Sequence, residues 1–592
     1  MRDAVAIPDH AQQFERLQFR TLYREFRLRV IDLDLLAPDG DTTKLLGQFA
    51  ALLLGFSFFV SLPILLLGVT RMPPESCWVM EHFLIATTMV VVGLFSVLSW
   101  DSAFPDRRDV LVLGPLPLRT RTIFSAKLAA LAVSLCVPIL ALNGFAGLLW
   151  PIVFSPDHSG FLGFIRAIVA YWFTILSAAT FVFGFVLLVQ GIASQLLPRQ
   201  LYLHASAVLQ VLTFCLLLSM YMLEPSLESF SARTAPANQD LLAWLPTYWF
   251  LGLFQQLNGS MDSGFVPLAS RAWIGLAITV FGTGATIFFA YLRSMRKIVE
   301  EPDILPGSRR GSWSPRLGNN LQSAVLLFTL RTLLRSRQHG IILSFYLGLG
   351  FTIMLVFLSP SLATLKIGHL SSGEMESVPF LAVSILMICV ATAAVRVVFS
   401  LPMVLRANWI YRITEIRSVS LYTAALRRTL LLLVVVPVLA LFAALFFTIW
   451  PWKMAMPHLA TLGLLGVILC EVALYRFHKV PFTCSYFPGK GNIQFGFWVL
   501  FGLLVLSPIV AGVEWELLQR PMTCALLLLA LVAAALAARW RTDAAATTTE
   551  AMQFDEVDAE GIISLNLGWD GIAVTKSSGP AKAKRPPLSI VV

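Results

Sequence analysis

The feature of this chain that most restricts its fold is a series of long, uninterrupted apolar runs. They recur from about residue 45 to about residue 539, and at roughly 18 residues or more each could cross about 30 Å of hydrocarbon as an α-helix. The composition agrees, because the 592 residues are 57% hydrophobic and 13% charged, whereas a soluble globular chain is about 45–50% apolar and about 25% charged. We therefore predict an all-α polytopic membrane protein.

Twelve membrane spans are predicted from these runs. They lie near residues 45–69, 77–100, 122–149, 161–192, 201–223, 266–292, 340–359, 377–400, 429–450, 457–475, 494–513 and 521–539. With the N-terminus in the cytoplasm, most of the 44 Lys and Arg residues fall on the inner side, as the positive-inside tendency requires. Both termini are therefore predicted to be cytoplasmic. The net charge of +10 reflects this placement and does not indicate nucleic-acid binding.

The residues with reactive side chains indicate no catalytic centre. No two of the seven cysteines have Cys-x-x-Cys spacing, so neither a disulfide framework nor a zinc site is predicted. The stretch FPGKGN at 487–492 lacks the first glycine and the hydroxyl residue of a phosphate-binding loop. We find no set of nucleophile, base and orienting group. The chain is expected not to be an enzyme by itself, with no catalytic residue, metal or cofactor of its own; an integral-membrane enzyme is the open alternative.

The chain contains two related halves. The third span includes VPILALNGFAGLLWP and the ninth includes VPVLALFAALFFTIWPW. Trp150 has its counterpart in Trp450, and Lys127 in Arg427, each 300 residues later. A basic amphipathic stretch precedes each half, LQFRTLYREFRLRV and LLFTLRTLLRSRQ. These matches predict a tandem duplication of six spans, in which both halves have the same orientation and are related by an axis along the membrane normal.

The repeat divides the chain into five segments. They are a cytoplasmic N-terminal segment with an interfacial helix (1–44), a first six-span half (45–292), a cytoplasmic linker with a second interfacial helix (293–339), a second six-span half (340–541) and a cytoplasmic tail (542–592). The first segment is polar and basic, unlike a cleavable signal peptide. The tail is rich in Ala and Thr, then acidic, then rich in Lys and Pro, which is typical of a disordered segment.

The loop between the second and third spans concentrates charge in a chain that has little. It reads PDRRDVLVLGPLPLRTRTIFSAK at 105–127, and its Pro, Asp and Gly residues predict a short amphipathic helix beneath the membrane. Loop 401–428 repeats the design. The arginines either anchor to anionic lipid headgroups or dock a cytoplasmic partner. The candidate docking residues are Asp106, Arg107, Arg108, Asp109, Arg119, Arg121, Arg406, Arg412, Glu415 and Arg417.

This arrangement resembles the permease subunits of ABC transporters of the ABC-2 exporter type. In that family the loop after the second span carries a coupling helix that fits a groove on the ATPase subunit, and an interfacial elbow helix precedes the first span. The stretch WLPTYWFLGLFQQLNG at 244–259 resembles the short, partly re-entrant helices that the family places between its fifth and sixth spans.

The resemblance implies an exporter powered by separate cytoplasmic ABC-type ATPase subunits, which would hold the ATP and Mg²⁺. It also implies a bacterial cytoplasmic membrane, with lipid and an unidentified substrate as further partners. The second half departs from the pattern. Loop 401–428 lacks the Pro-Leu-Pro-Leu turn, the outer stretch GVEWELLQRP is too short for re-entrant helices, and loop 476–492 has no counterpart in the first half. The two halves are therefore expected to couple unequally.

The spans are predicted to contain few charged residues, all near span ends: Arg166, Arg396 and Glu471. Glu471 is interpreted as paired at the inner boundary near Arg476, with a proton-coupling carboxylate as the alternative. Asn143 is interpreted as bonding a neighbouring helix. For the whole chain, the alternatives to an ABC permease are a secondary transporter of the major-facilitator kind, which also has 6 + 6 spans, and a non-transporting membrane protein.

Overall fold

The computed structural model is almost entirely helical over the residues that it describes. These are 7–30, 42–67, 73–100, 112–113, 115–116, 118–155, 160–223, 244–259, 263–300, 320–366, 377–403, 405–409, 411, 419–475, 477, 479–484, 493–547, 552–555, 565–568 and 571–574. A short antiparallel strand pair, Leu565–Gly568 with Gly571–Val574, lies near the C-terminus.

The described α-helices are named here in chain order. They are α1 (Ile7–Val30), α2 (Thr42–Leu67), α3 (Pro74–Leu98), α4 (Thr120–Asn143), α5 (Ala146–Phe154), α6 (Gly160–Leu196), α7 (Arg199–Leu223), α8 (Pro246–Asn258), α9 (Val266–Glu300), α10 (Asn320–Arg335), α11 (Arg337–Lys366), α12 (Ser377–Phe399), α13 (Val419–Leu430), α14 (Val436–Ile449), α15 (Trp452–Leu474), α16 (Ile493–Leu518) and α17 (Pro521–Thr547). A π-helical segment, Leu431–Val435, joins α13 to α14, and 3-10 turns occur at Ser263–Phe265 and Leu405–Asn408.

The apolar runs form helices as expected. Within the described residues, 11 helical segments are long enough and apolar enough to cross a membrane. They coincide with all of the predicted spans except 494–513, which falls inside α16. An integral membrane protein built from α-helices is therefore confirmed. Two boundaries differ from the prediction: the third span ends at Asn143 and is followed by the separate helix α5, and the ninth begins as early as Val419.

Over the described residues, several corresponding helices of the two predicted halves pack in the same pairs, although the contact of α11 with α12 has no counterpart between α2 and α3, and that of α2 with α4 has none between α11 and α14. In the first, α3 contacts α4, α6 and α7, α6 contacts α9, and α1 contacts α4. In the second, α12 contacts α14, α15 and α16, α15 contacts α17, and α10 contacts α13. The halves meet where α7 packs against α11, with the rings of Phe214 and Phe345 4.6 Å apart and the hydroxyl oxygens of Ser219 and Thr352 3.3 Å apart.

The end of α3 is held by side chains of its neighbours. The last carbonyls of an α-helix have no partner within the helix, and leaving them unpaired in an apolar interior is costly. Gln210 of α7 donates its amide to Val97 O at 2.8 Å, and Gln190 of α6 donates to Trp100 O at 2.7 Å. Two buried glutamines in apolar spans thus fix the register of three helices.

The short helix α8 is buried among α3, α6 and α9. At its C-terminal end, the Nε–H of Arg166 of α6 donates to Leu257 O at 2.8 Å. This bond gives a carbonyl of the last turn a partner and places a positive charge at the negative end of the helix dipole. Gly259 ends the helix in the left-handed region, at φ +90°, and its N–H bonds Gln255 O. The predicted short helix at 244–259 therefore exists, and an exposed arginine, Arg166, bonds a carbonyl near its end.

We expect Gly259→Ala to destabilise the protein. A left-handed backbone costs a residue with a Cβ about 1–2 kcal/mol, and this Cβ would lie 2.6 Å from the guanidinium of Arg166. The variant, purified in detergent, should therefore unfold at a temperature several degrees below that of the parent protein. The matched control is Gly284→Ala in α9, where a Cβ meets no atom within 4 Å. Equal unfolding temperatures for the two variants would contradict this account of the α8 cap.

Candidate functional site

Only part of the predicted docking set falls within the described residues. Asp106, Arg107, Arg108, Asp109, Arg412, Glu415 and Arg417 lie outside them. The backbone of Arg406 lies in the 3-10 turn Leu405–Asn408. Arg121 is exposed in the first turn of α4. Arg119 precedes α4, with its side chain 79% exposed, and its Nη1 lies 2.9 Å from Oε1 of Glu15 on α1.

The interfacial helix α1 lies along α4. Leu22 and Phe26 are buried against apolar residues of α4, while the opposite face of α1 is exposed and carries Arg16, Arg20, Arg24, Glu25 and Arg27. Lys127 of α4 is buried, with its ammonium 5.4 Å from the ring centre of Phe26. The helix is therefore amphipathic as predicted, and it is attached to both the third span and the end of the charged loop.

The second interfacial helix, α10, packs on α13 in the same way. Thr329 and Thr332 of α10 are buried, and Arg428 of α13 donates Nη1 to Gln322 of α10. Here the residue that corresponds to Lys127 is Arg427, which turns away from α10 toward an ion cluster described below.

The second loop is held by parts of the chain that are distant in sequence. Asn408 is buried, and its Nδ2 donates to Thr483 O at 2.6 Å and to Asp555 O at 2.7 Å. The N–H of Val480 donates to Gln553 O at 3.1 Å, and that of Asp555 to Thr483 O at 3.3 Å. Loop 401–428 is thus connected to loop 476–492 and to the segment 552–555.

Phe482 is the centre of this connection. It is 2% exposed, and its ring contacts Phe328 of α10, His339 of α11 and Phe399 of α12. Its φ of +65° is unfavourable for a residue with a bulky side chain. The N–H of Phe482 donates to Phe399 O at 3.0 Å, and its carbonyl accepts from the N–H of Met403 at 2.9 Å. These contacts offset the strained backbone.

The neighbouring Cys484 is a structural thiol. Burial raises the pKa of Cys484, so the thiol stays protonated, and Sγ lies 3.4 Å from Gln553 O as a hydrogen-bond donor. A protonated, buried thiol is a poor nucleophile. This cysteine therefore adds to the connection between loop and C-terminal segment and does not supply reactivity.

The tail differs from the disordered segment predicted from Thr542. Helix α17 continues to Thr547, with Thr542 and Ala546 buried. Met552 is also buried, and the ring of Phe554 packs 6.0 Å from that of Tyr411. Composition alone suggested disorder, but these residues find apolar partners on other helices. Ordered packing therefore extends past the predicted boundary over 542–547 and 552–555.

Glu471 is part of a buried ion cluster. Its carboxylate pairs with the guanidinium of Arg427, and Arg427 Nη2 also lies 2.7 Å from Asp543 Oδ1 on α17. Glu471 is 1% exposed, whereas the side chain of Asp543 is half-exposed. The interpretation of Glu471 as a paired residue is confirmed, but its partner is on α13. Arg476, the neighbour in sequence, lies outside the described residues.

We expect Glu471→Gln to destabilise the protein far more than Asp543→Asn. Removing one partner of a buried pair leaves an uncompensated charge and costs about 3–5 kcal/mol, whereas a solvent-screened pair is worth about 0–1 kcal/mol. Thermal unfolding of both variants in the same detergent measures the difference. Equal losses would mean that the half-exposed Asp543 contributes as much as the buried Glu471.

Asn143 joins three helices, as its interpretation required. Tyr171 of α6 donates its hydroxyl to Asn143 Oδ1 at 2.7 Å, and Asn143 Nδ2 donates to Thr88 Oγ1 of α3 at 3.1 Å. All three side chains are buried. The network connects the third span, which carries the charged loop at its start, to the second and fourth spans.

The sequence analysis missed two buried carboxylates in the spans. Glu81 of α3 accepts a hydrogen bond from Gln255 of α8, and the next residue, His82, stacks on Tyr248 with ring centres 4.1 Å apart. In the sequence, Glu81 and His82 are two adjacent polar residues inside an apolar run. Glu514 was missed because the predicted span ended at residue 513, whereas α16 continues to Leu518.

Glu514 belongs to a second buried cluster, formed with Ser384 of α12 and His458 of α15. His458 Nδ1 lies 2.8 Å from Glu514 Oε1, and His458 Nε2 lies 2.9 Å from Ser384 Oγ. The three side chains are 0–4% exposed. This chain of contacts joins three helices, and no two of its members are close in sequence.

Comparisons with known proteins found no match from which a role for these residues could be inferred. The chain matches no protein-family model, no curated protein and no solved structure. Over the part of the chain that the structure describes, no three His, Cys, Asp or Glu side chains are grouped so that they could hold a metal ion. The chemistry of this protein must therefore be argued from its own residues.

Proposed function

We propose that the chain is the transmembrane permease of an ABC-type exporter, with two six-span halves and ATPase activity on separate cytoplasmic subunits. The observation that carries the proposal is the attachment of α1 to both α4 and Arg119. An amphipathic helix bound to the third span and to the end of the charged loop is the arrangement expected of an elbow helix beside a coupling loop. ATP and Mg²⁺ would bind the partner, and the chain itself would be no enzyme.

The duplication is supported by packing as well as by sequence. Five kinds of helix pair recur in the two halves, including the interfacial helix on the third or ninth span. The fold therefore supports a permease in which two equivalent halves surround a pathway, as in a fused dimer.

The structure suggests how movement at the loop would reach the spans. Displacement of the loop by an ATPase would move α1 and the start of α4 together, because the Glu15–Arg119 pair and the packing of Phe26 join them. Asn143 connects the other end of α4 to α3 and α6. A rigid α4 would thus carry the movement from the cytoplasmic side into the bundle.

The second half supports unequal coupling. Its loop is bonded through Asn408 to loop 476–492 and to the segment 552–555, whereas the first half has no loop that corresponds to 476–492 in the sequence. A loop engaged within its own chain is less available to an external ATPase. We therefore propose that the first half provides the stronger docking surface.

The proposed orientation predicts which exposed residues can be labelled from outside the cell. Lys453→Cys and Arg520→Cys should react with an impermeant thiol reagent in intact cells. Arg119→Cys and Gln553→Cys should react only after permeabilisation, because the proposal places both termini and the docking loops in the bacterial cytoplasm. All four positions are exposed, so burial does not confound the comparison. The reverse pattern would overturn the orientation and, with it, docking on this face.

The docking proposal predicts that the double substitution Arg107→Glu with Arg108→Glu prevents binding of the ATPase subunit. An exposed ion pair contributes about 0–1 kcal/mol, whereas breaking one partner of a buried interfacial pair costs about 2–5 kcal/mol, which is at least about a tenfold loss of affinity. The full chain, purified from native membranes, should co-purify with an ATPase that carries a phosphate-binding loop. The double variant should insert normally and lose that ATPase.

The control for this experiment is charge loss in the tail, at Lys582 and Lys584, which should leave ATPase recovery unchanged. Substitution of Arg406 and Arg412 by Glu should reduce the amount of co-purified ATPase less than substitution of Arg107 and Arg108 does. An unchanged ATPase yield from the double variant would favour lipid anchoring as the role of the first loop.

A secondary transporter is the second candidate, and one observation favours it. The spans contain the buried pair His458–Glu514, and ionisable side chains inside spans commonly mark ion or proton paths. The same co-purification experiment distinguishes the two candidate functions, because a secondary transporter should be recovered without any ATPase.

A further inference from the structure

We propose that α1 binds the headgroup of an anionic phospholipid through a row of four arginines, Arg16, Arg20, Arg24 and Arg27, called here the arginine row. The ligand is recognised by its phosphate and its net negative charge, as in phosphatidylglycerol. The proposal goes beyond the proposed function, because it concerns the lipid around the chain and does not depend on an ATPase partner.

The arginine row lies on one face of α1. Its members follow one another at spacings of four, four and three residues, which places their side chains next to each other along the helix. All four are exposed, and none of them belongs to an ion pair in the part of the chain that the structure describes. Of the acidic side chains described on α1, Glu15 pairs with Arg119, and Glu25 is turned by about 100° from Arg24.

Packing of α1 does not require the arginine row. Leu22 and Phe26 make the buried contacts of this helix, on another face. The second interfacial helix, α10, packs on α13 with Arg331 as the only cation among its described side chains. Like charges four residues apart on a helix repel each other, so the row disfavours α1 unless anions lie beside it. An anionic ligand therefore gives the row a role that packing does not.

Two exposed apolar side chains favour a lipid over an acidic protein as this ligand. Phe14 and Leu17 are 60% and 62% exposed. Leu17 precedes Arg20 by three residues and so lies beside the arginine row. Helices that bind anionic membranes combine these two features, because their cations reach the phosphates while large apolar side chains enter between the headgroups.

The arginine row also lies at a level where headgroups are present. Helix α1 runs beside the start of α4, because Glu15 pairs with Arg119 just before α4 and Phe26 lies against Lys127, about two turns into it. The membrane-spanning part of α4 begins at Arg121. The surface between these two contacts therefore lies at a boundary of the hydrocarbon, whichever side of the membrane is the cytoplasm.

Arginine provides both affinity and selectivity for this ligand. A guanidinium group stays charged and can donate two parallel hydrogen bonds to a phosphate. The phosphate of phosphatidylcholine is neutralised by the ammonium of its own headgroup, whereas that of phosphatidylglycerol is not. Because each basic residue near an anionic membrane surface adds to the attraction, four adjacent arginines should select strongly for the anionic lipid.

The test measures which lipid lies against α1. The full chain is reconstituted in phosphatidylcholine nanodiscs that contain a small fraction of photoactivatable phosphatidylglycerol or, in a parallel sample, photoactivatable phosphatidylcholine. After illumination, mass spectrometry of the digested protein gives the amount of each probe bonded to α1. We expect at least about tenfold more labelling of α1 by the anionic probe. Helix α9, with Phe281 78% exposed, should be labelled equally by both.

Substitutions separate the charge of the row from the fold of the helix. Arg20→Gln with Arg24→Gln should lower the preference of α1 for the anionic probe to near that of α9. Arg20→Lys with Arg24→Lys should retain most of it, because the charges remain. The matched control is Arg331→Gln on α10, which should leave the preference of α1 unchanged.

Two results with the parent protein, which need no variant to fold, would overturn the proposal. Equal labelling of α1 by the two probes would mean that the helix contacts lipid without selecting its charge. Labelling of α9 but not of α1 by either probe would mean that the arginine row faces away from lipid, and would assign it to an acidic protein partner.

Discussion

The structure depends on the need of every polar backbone group within a membrane to find a partner in the protein. Helices satisfy this requirement internally except at their ends, so the ends become the places where helices are joined. Gln210 bonds the carbonyl of Val97 near the end of α3, and Gln190 bonds that of Trp100 just beyond it. Arg166 bonds the carbonyl of Leu257 near the end of α8. Several polar side chains of this apolar chain therefore bond helix ends, whereas others, such as Asn143 and His458, join helices within the bundle.

The two predicted halves differ in which helices and loops their polar side chains join. In the first predicted half, Lys127 lies against Phe26, and Arg119, in the described part of the charged loop, pairs with Glu15 of α1. In the second, Arg427 binds two carboxylates, and Asn408 ties the loop to two further segments. Over the described residues, these contacts tie the second loop to more segments of the chain than Arg119 ties the first.

The spans and their helical character could be predicted because long apolar runs determine them locally. The interfacial helices and the short helix at 244–259 also had local patterns. The polar clusters could not be predicted, since Ser384, His458 and Glu514 are separated by more than fifty residues and meet only after three helices have packed. The partner of Glu471 was misplaced for the same reason: proximity in sequence suggested Arg476, whereas helix packing supplied Arg427.

The π-helical segment Leu431–Val435 has a mechanical consequence for the ninth span. A π turn holds more residues than an α turn, so it breaks the fixed angular relation between the parts of a helix on either side. The face of α13 that directs Arg427 to Glu471 is thereby offset from the face of α14 that buries Phe442 and Phe446. One extra residue in the turn offsets the two faces by about 100°. The same span can therefore direct Arg427 to the ion cluster and Phe446 to the ring of His458.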